Sequence, residues 1–401
     1  MLVPALIFVG TYLAVAFGRL PFLRIDRTGV ALIGASLMVA SGTLSLEEAY
    51  RAIDFDTVTL LLGMMIIVAN LRLSGFFGLA TNAIARHADR PAALLAGIVL
   101  VSGLLSAFLV NDTVCLMLTP LVVELTKKLH RNPLPYLLAL ATASNIGSVA
   151  TITGNPQNMM IGSFSGLGYS AFAAGLAPVS VIGLVLCVGL IFALHRKEFV
   201  GAGPLAHFAL RLRPNRPLLI TSSLATAAAV IGFFLGFEPA KVAIVVGALL
   251  LLHPIKPARV YREIDWSLLL LFIGLFIVLA GAEKALLTPD ARQAVRDAGL
   301  ASLPVLSGVT AVLSNLVSNV PAVLVLAPFV RDLAHPEPAW LALAMASTLA
   351  GNFTILGSVA NLIVVERARA LGVTIGFWDY YKIGAPLTVA TLLAGIAWLA
   401  F

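Results

Sequence analysis

Charge is what this sequence has least of. Of 401 residues, 11% are Asp, Glu, Lys or Arg, against 60% hydrophobic. Soluble domains run near a quarter charged, so a water-facing fold of this size is excluded. Cysteine is scarce too. Cys115 and Cys187 lie in separate apolar runs and suggest neither a disulfide framework nor a thiolate metal cluster. The six histidines, at 87, 130, 195, 207, 253 and 335, all sit in or next to polar segments. Neither G-x-S-x-G nor H-E-x-x-H occurs, which argues against an intramembrane hydrolase. The chain also lacks G-x-x-x-x-G-K-[ST], so it does not hydrolyse ATP through a P-loop of its own. Before Arg19 there is no basic n-region and no small-residue cleavage site, so the first apolar run is expected to be a retained span. The chain is expected not to be an enzyme and to carry no cofactor or metal.

Long apolar runs fill the space these absences leave. Runs of about 18 residues or more read as membrane helices. Spans are expected at about 2–20, 28–43, 56–73, 134–161, 174–194, 217–236, 240–253, 265–282, 338–365 and 381–401. The short span at 240–253 requires Lys241 to snorkel outward. Two further apolar segments, 91–129 and 302–333, break in the middle. With the N-terminus outside, and each broken segment returning to its own side, twenty of the 26 Lys and Arg face the cytoplasm. The positive-inside rule selects that orientation, with loop 196–216 cytoplasmic, and accounts for the net charge of +7. The expected location is the inner (plasma) membrane.

The chain also resembles itself. "DFDTVTLLLGMMIIVANL" (Asp54–Leu71) matches "EIDWSLLLLFIGLFIVLAG" (Glu263–Gly281). "LSAFLVNDTVCLMLTPLVVEL" (Leu105–Leu125) matches "LSNLVSNVPAVLVLAPFVRDL" (Leu313–Leu333) without a gap, placing Asn111 on Asn319. "TITGNPQN" (Thr151–Asn158) matches "TILGSVAN" (Thr354–Asn361), placing Gly154 on Gly357 and Asn158 on Asn361. The charge-derived topology runs the span at 56–73 inward and that at 265–282 outward, so the repeat is inverted, a hallmark of secondary transporters. The expected division is 1–195 as the first repeat, 196–216 as a cytoplasmic linker and 217–401 as the second repeat.

The second broken segment has arms too short to cross. Thirteen residues, 321–333, rise about 20 Å, against a hydrocarbon core of roughly 30 Å. A re-entrant hairpin is expected, with Ser318-Asn319 at its tip and Pro321 opening its second helix. By the repeat, 91–129 is its mirror and turns at Asn111-Asp112; two full spans are the alternative there. The spans that follow, 134–161 and 338–365, carry matching interruptions at "TGNPQN" and "GNFTILGSVAN". Backbone freed at membrane depth is tolerated where it is buried in protein or lines a wet cavity. Its N–H ends attract anions and its carbonyl ends cations. The expected fold is therefore an all-α polytopic membrane protein, with about ten transmembrane helices plus two re-entrant hairpins in two inverted repeats.

"FLVNDTVCLMLTP", "TITGNPQNMMIG", "VSNVPAVLVLAPFV" and "LAGNFTILGSVANLIVVE" together resemble the arsenite-permease branch of the ion transporter superfamily. That branch joins ArsB-type arsenite pumps, NhaD-type sodium/proton antiporters and P-protein-like permeases, with the divalent anion–sodium symporters as distant members. The resemblance covers nearly the whole chain from about residue 28. It implies a scaffold and a mobile transport part, an elevator motion, a homodimer and, for arsenite pumps, a cytosolic ATPase subunit. It implies transport of a small inorganic solute, arsenite or antimonite, coupled to protons. The alternative is a sodium-coupled carrier, either a Na+/H+ antiporter or a symporter of dicarboxylate or another anion. Symporters of the superfamily carry Ser-Asn-Thr at both tips. Here the tips read Val-Asn-Asp-Thr (110–113) and Ser-Asn-Val-Pro (318–321).

Asp112 is the candidate for proton or cation coupling. An ionised carboxylate at membrane depth costs at least about 2.5–3.5 kcal/mol, so it pairs, binds a cation or takes up a proton. Capping the helix that follows is the structural alternative. Asn111, Thr113, Ser318 and Asn319 at the tips are candidate substrate ligands, with Gly154, Asn155 and Asn158 in the first interruption and Gly357, Ser358 and Asn361 in the second. Interhelical hydrogen bonding is the alternative for each amide. Cys115, one turn beyond the first tip, is read as core packing.

Overall fold

The computed structural model describes residues 2–17, 25–201, 203–205, 213–297 and 299–400. Among them all regular structure is helical apart from one isolated bridge residue, Asp26. Six helices are long and apolar enough to cross a membrane: Phe55–Ser74, Pro91–Phe108, Tyr169–Leu194, Arg216–Phe234, Trp266–Leu286 and Phe377–Leu399. Their outward faces are apolar. On Arg216–Phe234, Ile220, Leu224 and Ile231 are exposed, which suits lipid rather than water. This is a multi-pass membrane protein.

The helix boundaries follow local chemistry. Proline opens Pro91–Phe108, Pro133–Ser148 and Pro239–Leu250, where a missing N–H costs nothing. Asp54 and Asp265 cap Phe55–Ser74 and Trp266–Leu286 by accepting from Thr57 N and Leu268 N. Gly75, in the left-handed region at φ 86°, ends the former and turns the chain into Phe76–His87.

The long interrupted segments form the core. Every residue from 135 to 161 is buried, through Pro133–Ser148, a short 3-10 turn Ile152–Gly154 and Pro156–Ser165. Glu337–Ala350, the turn Ile355–Gly357 and Val359–Ala370 repeat this arrangement. The hairpins Pro91–Phe108/Asn111–Lys128 and Leu303–Val317/Asn319–Arg331 pack against them. A second group lies alongside. Phe55–Ser74 packs on Arg216–Phe234 and Pro239–Leu250, while Trp266–Leu286 packs on Leu2–Phe17 and Arg27–Ala40. These contacts are close because small residues meet. A Cβ on Gly63 would lie 2.5 Å from the Ala243 carbonyl carbon, and one on Gly274 2.8 Å from that of Ala31.

Several boundaries differ from the sequence reading. Residues 18–20 of the expected first span lie outside the described residues. Lys241 does turn outward and pairs with Glu238. Five short helices, Leu46–Ala52, Phe76–His87, Arg196–Phe199, Pro257–Tyr261 and Pro289–Asp297, lie outside the expected spans. They are too short or too polar to register as spans. The first hairpin turns one to two residues early: Leu109 and Val110 are non-helical, and Asn111 already opens the second arm.

Candidate functional site

The two hairpin tips and the two interruptions meet. One cavity of about 80 Å³ is lined by Asn111 and Asp112, by Ser318 to Pro321, by Pro156 and Gln157, and by Ser358 and Val359. Each of these four groups lies at or next to the N-terminus of a helix: Asn111–Lys128, Asn319–Arg331, Pro156–Ser165 and Val359–Ala370. Four sets of N–H groups therefore converge on one space, a field that favours oxygen-rich or anionic solutes. Arg27 joins the lining from the helix Arg27–Ala40.

Asp112 faces this space without a partner. It is the second residue of its helix, and no side-chain bond caps that helix, so capping is not its role here. It forms no hydrogen bond or ion pair with a described residue. It also lines a neighbouring cavity of about 140 Å³, with Thr113, Asp265 and the ion pair Arg72–Glu263. The carboxylate thus stands between two spaces.

Asn111 is held from behind. Its Nδ2 donates to Asn145 Oδ1 at 3.0 Å, its backbone oxygen accepts from Ser144 Oγ at 3.2 Å, and its Oδ1 is buried without a partner. Asn145 is the hub. Its Oδ1 also accepts from Ser358 Oγ at 3.1 Å, and its Nδ2 donates to Asn352 at 2.9 Å and Asn361 at 3.1 Å. At the opposite tip Asn319 Oδ1 accepts from Ser314 Oγ at 2.7 Å. Ser318 is bent into the positive-φ region, φ 81° and ψ 159°, a conformation normally left to glycine.

The interruptions are built alike. Asn158 Nδ2 donates to the Ser148 and Thr151 carbonyls, and Asn361 Nδ2 to the Gly351 and Thr354 carbonyls. Each amide supplies the donors that the broken helix lost. Asn155 caps Pro156–Ser165, and Ser358 caps Val359–Ala370. Asn155 Nδ2 and Gln157 Nε2 both reach Thr348 Oγ1, at 3.2 and 3.1 Å. Asn145 and Thr348 occupy corresponding positions in the two segments, and each bonds the interruption of the other. Gly154 and Gly357 are required by close approach: a Cβ on Gly154 would overlap the Ser148 carbonyl, and one on Gly357 would stand 2.9 Å from Asn315 Oδ1.

Of the residues expected at the site, Asn111, Asp112, Ser318, Asn319 and Ser358 line the shared cavity, and Thr113 lines its neighbour. Gly154, Asn155, Asn158, Gly357 and Asn361 lie behind the wall and hold the two interruptions in shape. Sequence reading missed Asn145, Thr348, Asn352, Gln157 and Arg27. The repeat offset that carries Asn158 onto Asn361 also carries Asn145 onto Thr348, a signal that was present but unused.

Residues 12–350 match the family described as citrate transporter, CitMHS. The chain is 29% identical to the silicon efflux transporter LSI3 of Oryza sativa subsp. japonica, over 96% of this chain and 94% of that protein. It is 25% identical to a Dictyostelium discoideum protein bearing the provisional name of transporter arsB, over 98% and 90%. In fold it is similar to the Alcanivorax borkumensis YdaH transporter, whose crystal structure is described as having an unusual topology. The TM-score is 0.62, with 15% identity, over 99% of this chain and 97% of that one. The chain belongs to the citrate transporter family and is a membrane transporter.

Proposed function

From membership of the citrate transporter family, we propose that this chain is a proton-coupled secondary active transporter that exports a small inorganic solute, with arsenite or antimonite the leading substrate. The observation that carries the reading is Asp112. It is a carboxylate without a hydrogen-bond or ion-pair partner among the described residues, at one hairpin tip, opening on a cavity shared with the other tip, which has Val320 at the matching position. A group so placed takes up a proton or a cation when it crosses the membrane interior. The cavity, at about 80 Å³, suits a compact solute. The rice relative, a silicon efflux transporter by name, supports export of such a solute.

The chain divides in this reading into inverted repeats 1–195 and 217–401, joined by 196–216, with the N-terminus outside and the linker in the cytoplasm of the inner membrane. In that orientation Arg72, Glu263 and Asp265 lie at cytoplasmic helix ends, so both cavities face inward. The body that carries the tips and interruptions is the mobile one. It moves past the group formed by Phe55–Ser74, Trp266–Leu286 and their neighbours.

The convergence of four helix N-termini supports a second reading, a carrier of a carboxylate or other anion coupled to sodium. Uptake into everted vesicles separates the two. Arsenite accumulation driven by a pH gradient and indifferent to sodium supports the first. Sodium-dependent dicarboxylate uptake with no arsenite movement supports the second.

A further inference from the structure

The polar groups around the shared cavity form two sets that do not satisfy each other. The acceptors are the two oxygens of the Asp112 carboxylate, with Asn111 packed behind it. Asn111 is 5% exposed, its Nδ2 is committed to Asn145, and its Oδ1 has no partner. The donors are the Arg27 guanidinium and Asn319 Nδ2. Asn319 spends its Oδ1 on Ser314. Arg27 is half-buried, lines the cavity, and forms no hydrogen bond or ion pair with a described residue. The acid beside it, Asp26, is engaged in accepting from Gly29 N at 2.8 Å. One positive and one negative side chain therefore line the same small space without meeting across it.

Such an arrangement is selective. A bare cation would satisfy Asp112 and be repelled by Arg27, and an anion would meet the reverse. A neutral molecule with hydroxyl donors and oxygen acceptors answers both sets at once, because each unpaired group left in a closed site costs free energy. We propose that Arg27 is a solute-binding residue and that, opposed to Asp112, it restricts the site to neutral polyhydroxy oxoacids. Their hydroxyls donate to the Asp112 carboxylate, and their oxygens accept from Arg27 and Asn319 Nδ2. This rests on the reading of the cavity as the transport site. It adds a residue that comes from outside the body holding the tips. Guanidinium suits the role, with five donors and a fixed charge.

The test is equilibrium binding to the purified full-length protein in detergent, with arsenite and silicic acid as neutral probes and phosphate as the anion. Wild type binds the neutral probes and excludes phosphate. Arg27→Gln weakens neutral-probe binding by about tenfold or more, and Arg27→Lys recovers part of the loss. Asp112→Asn admits phosphate because the repelling charge is gone, and Asp112→Asn combined with Arg27→Gln loses it again. If Arg27→Gln does not fold, the intermediate affinity of Arg27→Lys is the reading that counts. An unchanged Kd in the Arg27 variants, no neutral-probe binding to wild type, or phosphate binding that ignores Arg27 would each overturn the proposal. If binding depends on Arg27 but vesicle transport ignores the pH gradient, this inference stands and the proton-coupled reading falls.

Discussion

Asn145 Nδ2 donates to Asn361 Oδ1 at 3.1 Å across 216 positions of chain, tying one interrupted helix to the other at the back of the cavity. The same side chain accepts from Asn111 and Ser358, so both amide atoms are fully used. Replacement by leucine strands several buried polar groups at once. Asn145→Leu is expected to destabilise the protein by about 2–4 kcal/mol, taking each stranded group as about 1–3 kcal/mol with partial relaxation. Thermal unfolding in detergent reads this, and an unchanged midpoint would show that the network is not structural.

Asn158 and Asn361 close the two interruptions with the same pair of bonds, but only Asn361 also accepts from Asn145. Alanine at either position should cost about 1–3 kcal/mol, with Asn361→Ala the more damaging. The reverse order in the same unfolding assay would contradict the roles assigned here.

Ser318 holds a backbone conformation that glycine adopts without strain. Ser318→Gly should therefore stabilise the fold by roughly 1 kcal/mol while weakening solute binding through the lost hydroxyl. Ser318→Ala should lose the hydroxyl without the gain. A Ser318→Gly protein that melts no higher than Ser318→Ala removes the argument from strain.

Outside the membrane, Lys284 donates to Glu48 at 2.6 Å, linking Leu46–Ala52 to the end of Trp266–Leu286. The hydrogen bond from Lys284, helped by the Ser45 N–H, holds the Glu48 carboxyl below its usual range. A carboxyl lowered in the folded state contributes stability that is complete above its unfolded value of about 4.3 and fades as pH falls through the folded value. Both side chains are exposed, so the contribution is small and salt-sensitive. The melting difference between wild type and Glu48→Gln should thus be present at pH 7 and vanish in acid. A difference that grows toward low pH would have the wrong sign.

Hydropathy and the internal repeat made the apolar helices, the breaks within 91–129 and 302–333 and both interruptions legible, because each depends on runs of residues. The details that remained hidden depend on single contacts. Asn145 sits in an apolar helix that gives no local hint of four polar partners. Arg27 belongs to a cluster of arginines at Arg19, Arg24 and Arg27, which charge counting assigns to a loop; only packing brings it to the tips. The turn of the first hairpin falls at Leu109-Val110 rather than on the more turn-prone Asn111-Asp112. Asn111 is bonded to Asn145 instead, and the backbone bends at the two core residues before it.

Coupling of solute movement to protons through Asp112 is probed by Asp112→Asn. Proton release driven by arsenite is measured in proteoliposomes, alongside unfolding and arsenite binding of the same preparations. The expected result is a folded variant that still binds arsenite, because an amide oxygen accepts from its hydroxyls as a carboxylate does, and that moves no protons with it. Coupled transport that survives in Asp112→Asn at the wild-type proton-to-solute ratio would contradict it.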